Sequence, residues 1–160
     1  MKKLSLLAKL KKQGKLTLVE PSKEVCQSYL EKSSKSLNSA KATLEIESYE
    51  DSVAMSYYSM YYNVLALLFC IGVKCENHTA AIILLKRVFD IDNNTIKKAK
   101  TERIDKQYYV DFVVTKEEVI KMIETAEQFN AEQFSFIDTL NKNKIDKYKN
   151  KAKEIIKENI

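Results

Sequence analysis

Apolar residues recur at intervals of three or four positions along most of the chain, a spacing that predicts amphipathic helices. The first helix is expected over residues 22–47, because Ser22 is a typical helix start and the apolar spacing follows it directly. A second, more apolar helix follows Ser48 and runs to about Ile71. It should end at Gly72, since glycine tolerates the left-handed conformation of a helix C-cap.

The middle of the chain divides into a helical stretch and a stretch without periodicity. Asn77 or Thr79 can cap a third helix that continues to Phe89. A turn cluster over residues 92–94 follows this helix. Residues 95–111 are basic and rich in tyrosine but not periodic. No helix is predicted there, and the segment is a candidate for function.

The clearest local signal opens the last long helix. In Thr115-Lys-Glu-Glu118 the threonine hydroxyl can accept a backbone N–H while the glutamate reaches back to the N-cap, an arrangement known as a capping box. The apolar spacing then continues to about Asn141. A basic helix over residues 145–157 and a short docked helix near the N-terminus complete the prediction.

Composition assigns these helices to an all-α fold. The chain has 160 residues, enough for one domain, and only two glycines and one proline, too few for the frequent turns of a sheet protein. We expect an up-and-down bundle of four to five helices. The single helical domain, 1–160, then consists of a basic segment (1–20), the bundle (22–141) and a basic C-terminal helix (142–160).

The sequence indicates a soluble, cytoplasmic protein without membrane contact. The longest apolar run, Val64 to Val73, is shorter than the roughly 20 residues that span a bilayer. Lysines interrupt the N-terminal apolar stretch before it reaches the length of a signal peptide. The three cysteines are an odd number in a chain without an export signal, so a disulfide framework is not expected.

Charge is concentrated at the two ends of the chain. Residues 1–15 carry six lysines and no acid, and residues 142–160 carry seven lysines against three acids. The stretch between them is net acidic. Basic ends of this kind can bind nucleic acid by releasing counterions, or they can simply keep the termini solvated.

Four tyrosines lie within six residues of the second predicted helix. They are Tyr57, Tyr58, Tyr61 and Tyr62. Residues four apart lie on the same side of a helix, so these rings form two neighbouring aromatic stripes. The stripes suit packing in the core or at a dimer interface, and they would also suit stacking on nucleobases.

No metal or enzyme motif is complete. Cys70, Cys75 and His78 supply three ligands, one fewer than a structural zinc site needs. Two glycines cannot build a glycine-rich phosphate loop, and the one histidine has no partner serine or cysteine in a recognisable motif. We therefore expect no metal and no cofactor.

The segment 102–109 carries cationic, acidic and phenolic side chains within eight residues. Arginine offers a bidentate fork to a phosphate, and tyrosine offers a plane on which a base can stack. The candidate binding residues are Lys100, Arg103, Lys106, Tyr108 and Tyr109. Alternatively, Arg103 forms an ion pair with Glu102 or Asp105 and only fixes the turn into the last helix.

Three blocks of the sequence together resemble the HEPN (higher eukaryotes and prokaryotes nucleotide-binding) domain family in its stand-alone prokaryotic form. The blocks are Ala54-Met-Ser-Tyr-Tyr-Ser-Met-Tyr-Tyr62 with Ala66-Leu-Leu68 and Gly72, then Glu76-Asn-His-Thr79, then Arg103-Ile-Asp-Lys-Gln-Tyr-Tyr109 with Thr115-Lys-Glu-Glu118. Their order and spacing are more specific than any one block. The resemblance covers most of the chain.

The resemblance implies a helical bundle that commonly dimerises, with a cleft lined by the segment before the last long helix. Many relatives are metal-independent ribonucleases with an Arg-x4-6-His motif, in which the histidine transfers protons and the arginine stabilises the phosphate. Others pair with minimal nucleotidyltransferases in toxin–antitoxin systems, and others are inactive binding modules.

This chain departs from that motif. Arg103 matches the arginine, but Tyr108 and Tyr109 stand where the histidine would be, and a phenol with a pKa near 10 is a poor base at pH 7. His78 lies in a different helix, where it could enter the cleft or only cap and pack. The candidate catalytic residues are Arg103, Tyr108 and His78.

These observations predict a homodimer that binds RNA or a nucleotide, and that acts as a metal-independent ribonuclease or as a toxin–antitoxin component. The alternative is a non-catalytic interaction module that partners a minimal nucleotidyltransferase.

Overall fold

The computed structural model describes residues 4–111 and 113–158. The elements in chain order are α1 (Leu6–Lys12), β1 (Leu16–Leu18), α2 (Lys23–Glu45), α3 (Tyr49–Ile71), β2 (Val73–Cys75), α4 (His78–Phe89), α5 (Asn94–Tyr108), α6 (Lys116–Asp138) and α7 (Lys142–Glu158). The predicted all-α fold is confirmed. The two strands, which were not predicted, pair antiparallel as a small ribbon with Leu16 opposite Cys75.

The central element is α3, which packs against α2, α5 and α6. Most of its residues are buried, with Tyr57, Met60 and Leu67 fully so. Among the described residues, α3 is the one helix long and apolar enough to cross a membrane, and 78% of its apolar window is buried within the molecule. Its apolar character is therefore that of a core helix, which is hydrophobic around its whole circumference.

The ends of α2 and α3 follow the sequence signals closely. The Ser22 side chain accepts the N–H of Val25 at 3.1 Å and caps α2. Gly72 ends α3 with φ of +86°, as its left-handed C-cap position requires. A Cβ at this position would collide with the Val19 carbonyl oxygen. Glycine is thus needed here both for its backbone conformation and for the close approach of the chain.

The remaining predicted helices are also present. Asn77 caps α4 through its side chain, and Thr115 and Glu118 form the predicted capping box of α6. The short N-terminal helix docks on the body by burying Leu7 and Leu10. The basic C-terminal helix, α7, spans Lys142–Glu158.

One helix was missed by the sequence prediction. Segment 95–111 lacks periodic apolar residues, yet most of it belongs to α5. Of the side chains described in this segment, those of Ile96 and Ala99 are the ones buried in the core, 0% and 2% exposed. Two buried side chains one turn apart do not make a repeat long enough to be recognised as helical periodicity. The stability of α5 comes instead from its packing on α3.

The expectation of no disulfide is wrong for one pair of cysteines. Cys26 and Cys70 are bonded to each other, with their Cα atoms 5.4 Å apart, and they join the start of α2 to the end of α3. Counting cysteines cannot reveal that an antiparallel helix pair brings these two together. Cys75 is free and buried.

Candidate functional site

The N-terminus of α4 places the only histidine of the chain against the tyrosines of α3. His78 is the first residue of α4 and is half-buried. Its Nδ1 lies 2.7 Å from the Tyr57 hydroxyl, and its ring stacks on Tyr61 with centroids 3.8 Å apart and planes 9° from parallel. These two contacts fix the imidazole from the edge and from the face. Its other nitrogen, Nε2, has no hydrogen bond to any residue that the structure describes.

Arg103 reaches the same tyrosines from α5. Its Nη1 donates a hydrogen bond of 3.0 Å to the Tyr58 hydroxyl. Its guanidinium carbon lies 5.2 Å from the centre of the Tyr57 ring and 5.3 Å from that of Tyr58, both within the range of a cation–π contact. The buried Nε of Arg103 has no hydrogen-bond partner in the described part of the chain. No described carboxylate forms a salt bridge with this guanidinium.

A second cation stands beside the histidine. Lys100, one turn before Arg103 on α5, donates from Nζ to the Thr79 hydroxyl at 2.6 Å. Burial and the nearby Arg103 charge both lower the pKa of Lys100. This contact joins α5 to the first turn of α4. Three nitrogen-bearing side chains, those of His78, Lys100 and Arg103, therefore meet at the junction of α3, α4 and α5.

The electrostatics of this junction favour a neutral imidazole. Burial lowers the pKa of His78, and the positive charges of Arg103 and Lys100 lower it further. Burial raises the pKa of Tyr57, although Arg103 acts in the opposite direction. At pH 7 the phenol is thus protonated and the imidazole uncharged. An uncharged imidazole can accept a proton, and the adjacent arginine can hold an anion.

The two tyrosines at the end of α5 are exposed, in contrast to those of α3. Tyr108 is 65% exposed, and the centre of its ring lies 6.0 Å from the Arg103 guanidinium carbon. Tyr109 ends α5 as its C-cap residue and is 56% exposed. The structure thus brings Tyr108 to the rim of the site. An exposed ring in this position can stack on a planar ligand.

Lys106 is not brought to this site. Its Nζ lies 3.8 Å from a carboxylate oxygen of Glu118 and 3.4 Å from the Val113 carbonyl oxygen. It lines a groove of about 410 Å³ between α3, α5 and α6, on another face of α5. The predicted binding residues are therefore divided: Lys100, Arg103 and Tyr108 belong to the histidine side, and Lys106 belongs to the α6 side. The ion pair of Arg103 with Glu102 or Asp105, considered from the sequence, is not formed.

The sequence left the α3 tyrosines open to packing or to stacking on nucleobases, and it did not connect them to the histidine. Tyr57, Tyr58 and Tyr61 do pack, but they also position His78 and Arg103. A usable signal was present, because a buried tyrosine hydroxyl needs a hydrogen-bond partner.

A family model for the HEPN domain matches residues 26–134 of the chain, more than half of its length. No curated protein matches it. The matched span contains α3, α4 and α5 and therefore every residue of the junction described above.

Proposed function

The chain belongs to the HEPN domain family, and on that premise we propose that it binds RNA or a nucleotide at the junction of α3, α4 and α5, with a phosphate held by Arg103. The family indicates a function related to RNA, nucleotides or toxins in general. The finer assignment rests on the side chains at the junction.

The observation that carries the proposal is a guanidinium without an acidic partner in the part of the chain that the structure describes. Arg103 contacts two aromatic rings and one phenol, and its buried Nε has no hydrogen-bond partner among the described residues. A phosphate would supply the missing negative charge. Lys100 adds a second positive charge, and Tyr108 offers a ring to the attached base.

The same geometry supports a metal-independent cleavage of RNA. His78 Nε2 would take the proton of a ribose 2′-hydroxyl while the 2′-oxygen bonds to phosphorus and the bond from phosphorus to the 5′-oxygen breaks. The imidazolium would return that proton to the departing 5′-oxygen. The products are a 2′,3′-cyclic phosphate and a 5′-hydroxyl. Arg103 would stabilise the charge on the phosphorane, and Tyr57 would hold the ring when it accepts from Nδ1–H.

The test is cleavage of labelled single-stranded RNA in the presence of a chelator. We expect the wild-type protein to cleave and His78→Ala to lose cleavage, with the cyclic phosphate detected at the new 3′-end. Tyr108→Phe keeps the ring but removes the phenol proton, so it should retain cleavage. If Tyr108→Phe lost cleavage and His78→Ala kept it, the group that transfers the proton would be the Tyr108 phenol and not the His78 imidazole. If the wild-type protein did not cleave RNA, the cleavage proposal would be rejected and only the binding proposal would remain.

A second candidate function is favoured by one surface feature. The segment that follows α5 exposes large apolar side chains, with Val110 97% and Val113 79% exposed next to the two exposed tyrosines. Exposed apolar residues that lie near one another often mark a protein interface. We propose this segment as the contact for a second copy of the chain or for a nucleotidyltransferase partner.

Sedimentation equilibrium and co-purification distinguish a second copy of the chain from a nucleotidyltransferase as the partner of this segment. A dimer that becomes monomeric in Val110→Asp/Val113→Asp would support self-association through this segment. Co-purification of a nucleotidyltransferase at unit stoichiometry, together with no RNA turnover, would instead support the interaction module.

A further inference from the structure

The two lysine-rich ends of the sequence meet in the fold. Helix α1 contacts α7, although more than 120 residues separate them in the chain. Both bury an apolar face in the main core: Leu7 and Leu10 from α1, and Ala152, Ile155 and Ile156 from α7. The packing of these faces turns the remaining sides of both helices outward.

The outward sides carry a dense set of exposed lysines. They are Lys9, Lys11 and Lys12 of α1 and Lys142, Lys144, Lys147, Lys151, Lys153 and Lys157 of α7, to which Lys15 adds one from the turn between α1 and β1. Within the described residues, none of these ten forms a salt bridge. The acids of α7 are few: Asp146, Glu154 and Glu158, of which Glu158 pairs with Arg87 of α4. We call this set the lysine surface.

The β-ribbon connects the lysine surface to the candidate site. Lys15 precedes β1, and its carbonyl oxygen accepts the N–H of Glu76 at 2.8 Å. His78 follows Glu76 by two residues and begins α4. On the other side, Lys149 of α7 donates from Nζ to the Val19 carbonyl oxygen, at 3.0 Å, just beyond β1. The backbone at both ends of β1 therefore ties the site to the basic helices.

We infer that the lysine surface binds the phosphate backbone of single-stranded RNA and so supplies most of the affinity for the RNA that the histidine site acts on. This inference rests on the proposed function for the identity of the ligand. Lysines spread along about 25 Å of α7 suit a linear polyanion better than a single phosphate. Both helices lie outside the matched residues 26–134, so the surface adds to what the family supplies.

The experiment is RNA binding as a function of salt concentration. The probe is a labelled oligouridylate, and the variant carries Lys→Gln at six positions, three on each helix: Lys9, Lys11, Lys12, Lys147, Lys151 and Lys153. Glutamine keeps a helix propensity close to that of lysine. Each lost phosphate contact lowers the slope of log K against log salt by about 0.7 for single strands, so we expect a slope smaller by about 2 to 4 and at least tenfold weaker binding at low salt.

Two controls keep the outcome specific. The first removes three exposed lysines on other helices, Lys35, Lys116 and Lys121, and should leave the slope unchanged; an equal loss per charge removed would show a general net-charge effect and overturn the inference. The second measures binding to vesicles of phosphatidylserine and phosphatidylcholine. An unchanged RNA slope together with loss of vesicle binding in the six-lysine variant would assign the surface to membranes and overturn it as well.

Arg103→Ala separates this inference from the proposed function. We expect Arg103→Ala to weaken RNA binding while keeping most of the salt slope. Unchanged affinity in Arg103→Ala, with a reduced slope in the six-lysine variant, would reject the proposed site and retain the lysine surface. The reverse pattern would retain the site and reject the surface.

Discussion

Two faces of α5 hold their cations in opposite ways. On the side of α3 and α4, Arg103 contacts aromatic rings and a phenol and has no described acidic partner. On the side of α6, Lys106 is 13% exposed and lies near the Glu118 carboxylate. A cation beside a carboxylate serves to join two helices, whereas a cation without one keeps its attraction for a ligand anion. Proximity in sequence therefore does not make these two residues one site.

The comparison also distinguishes two kinds of tyrosine. Tyr57 and Tyr61 are buried and fix the histidine, while Tyr108 and Tyr109 are exposed at the rim. The first pair gives the site its shape and the second pair gives it a surface for a planar group. The same residue type thus supplies positioning on α3 and contact on α5.

The largest expected effect comes from removing the buried side chain that holds α5, and so both of its faces, in place. Ile96 is fully buried, and Ile96→Ala should lower the free energy of unfolding by about 2 to 5 kcal/mol, because it leaves a cavity under α5. Urea unfolding measures this change. Ile120→Ala on α6, where the side chain is 38% exposed, should cost much less. Equal effects of the two substitutions would show that α5 is not anchored through Ile96.

The next effect tests the two cations directly. Arg103→Ala should weaken RNA binding by roughly 10- to 100-fold, since a hydrogen bond to a charged group contributes about 1.5–3 kcal/mol. Lys106→Gln should leave RNA affinity unchanged and lower stability by at most about 1 kcal/mol. Fluorescence anisotropy and circular dichroism provide the two readouts. Unchanged affinity in a folded Arg103→Ala protein would retire the proposed site.

The helical framework was predictable because it depends on local signals. Capping at Ser22 and Thr115 and the left-handed stop at Gly72 lie within a few residues of the ends that they define. The site was predictable only in part. Arg103 was a candidate from the chemistry of its segment and from the resemblance. Its proximity to His78 depends on the long-range packing of α4 and α5 on α3, which no spacing in the sequence reports.

A smaller effect is expected from the phenol that orients the arginine. Tyr58→Phe removes the hydroxyl that accepts from Arg103 and keeps the ring beneath it. The Tyr58 hydroxyl positions the guanidinium and does not itself hold the phosphate, so RNA binding should weaken less than in Arg103→Ala, by no more than about tenfold. Tyr62→Phe is the matched control, because Tyr62 lies one turn away on α3 and no described residue bonds its hydroxyl. Equal losses of RNA affinity in Tyr58→Phe and Tyr62→Phe would show that the Tyr58 hydroxyl does not position Arg103.

The smallest expected effect is a change in the pKa of His78, which depends on the charges around the imidazole. Because the chain has one histidine, NMR titration follows His78 without ambiguity. Burial and two neighbouring cations lower its pKa, so its midpoint should lie below the ordinary value of 6.5. Arg103→Ala should raise the midpoint toward that value, and Lys35→Gln on α2 should not move it.

The same shift fixes the sign of one pH effect on stability. A histidine whose pKa is lower in the folded state binds fewer protons there than in the unfolded state. Its contribution to stability is present above pH 6.5 and is lost as the pH falls through the lowered value, and Arg103→Ala should make that loss smaller. A midpoint at or above 6.5 in the wild type would mean that a carboxylate faces the imidazole. The contrast between an acid-free face and an acid-paired face of α5 would then no longer hold.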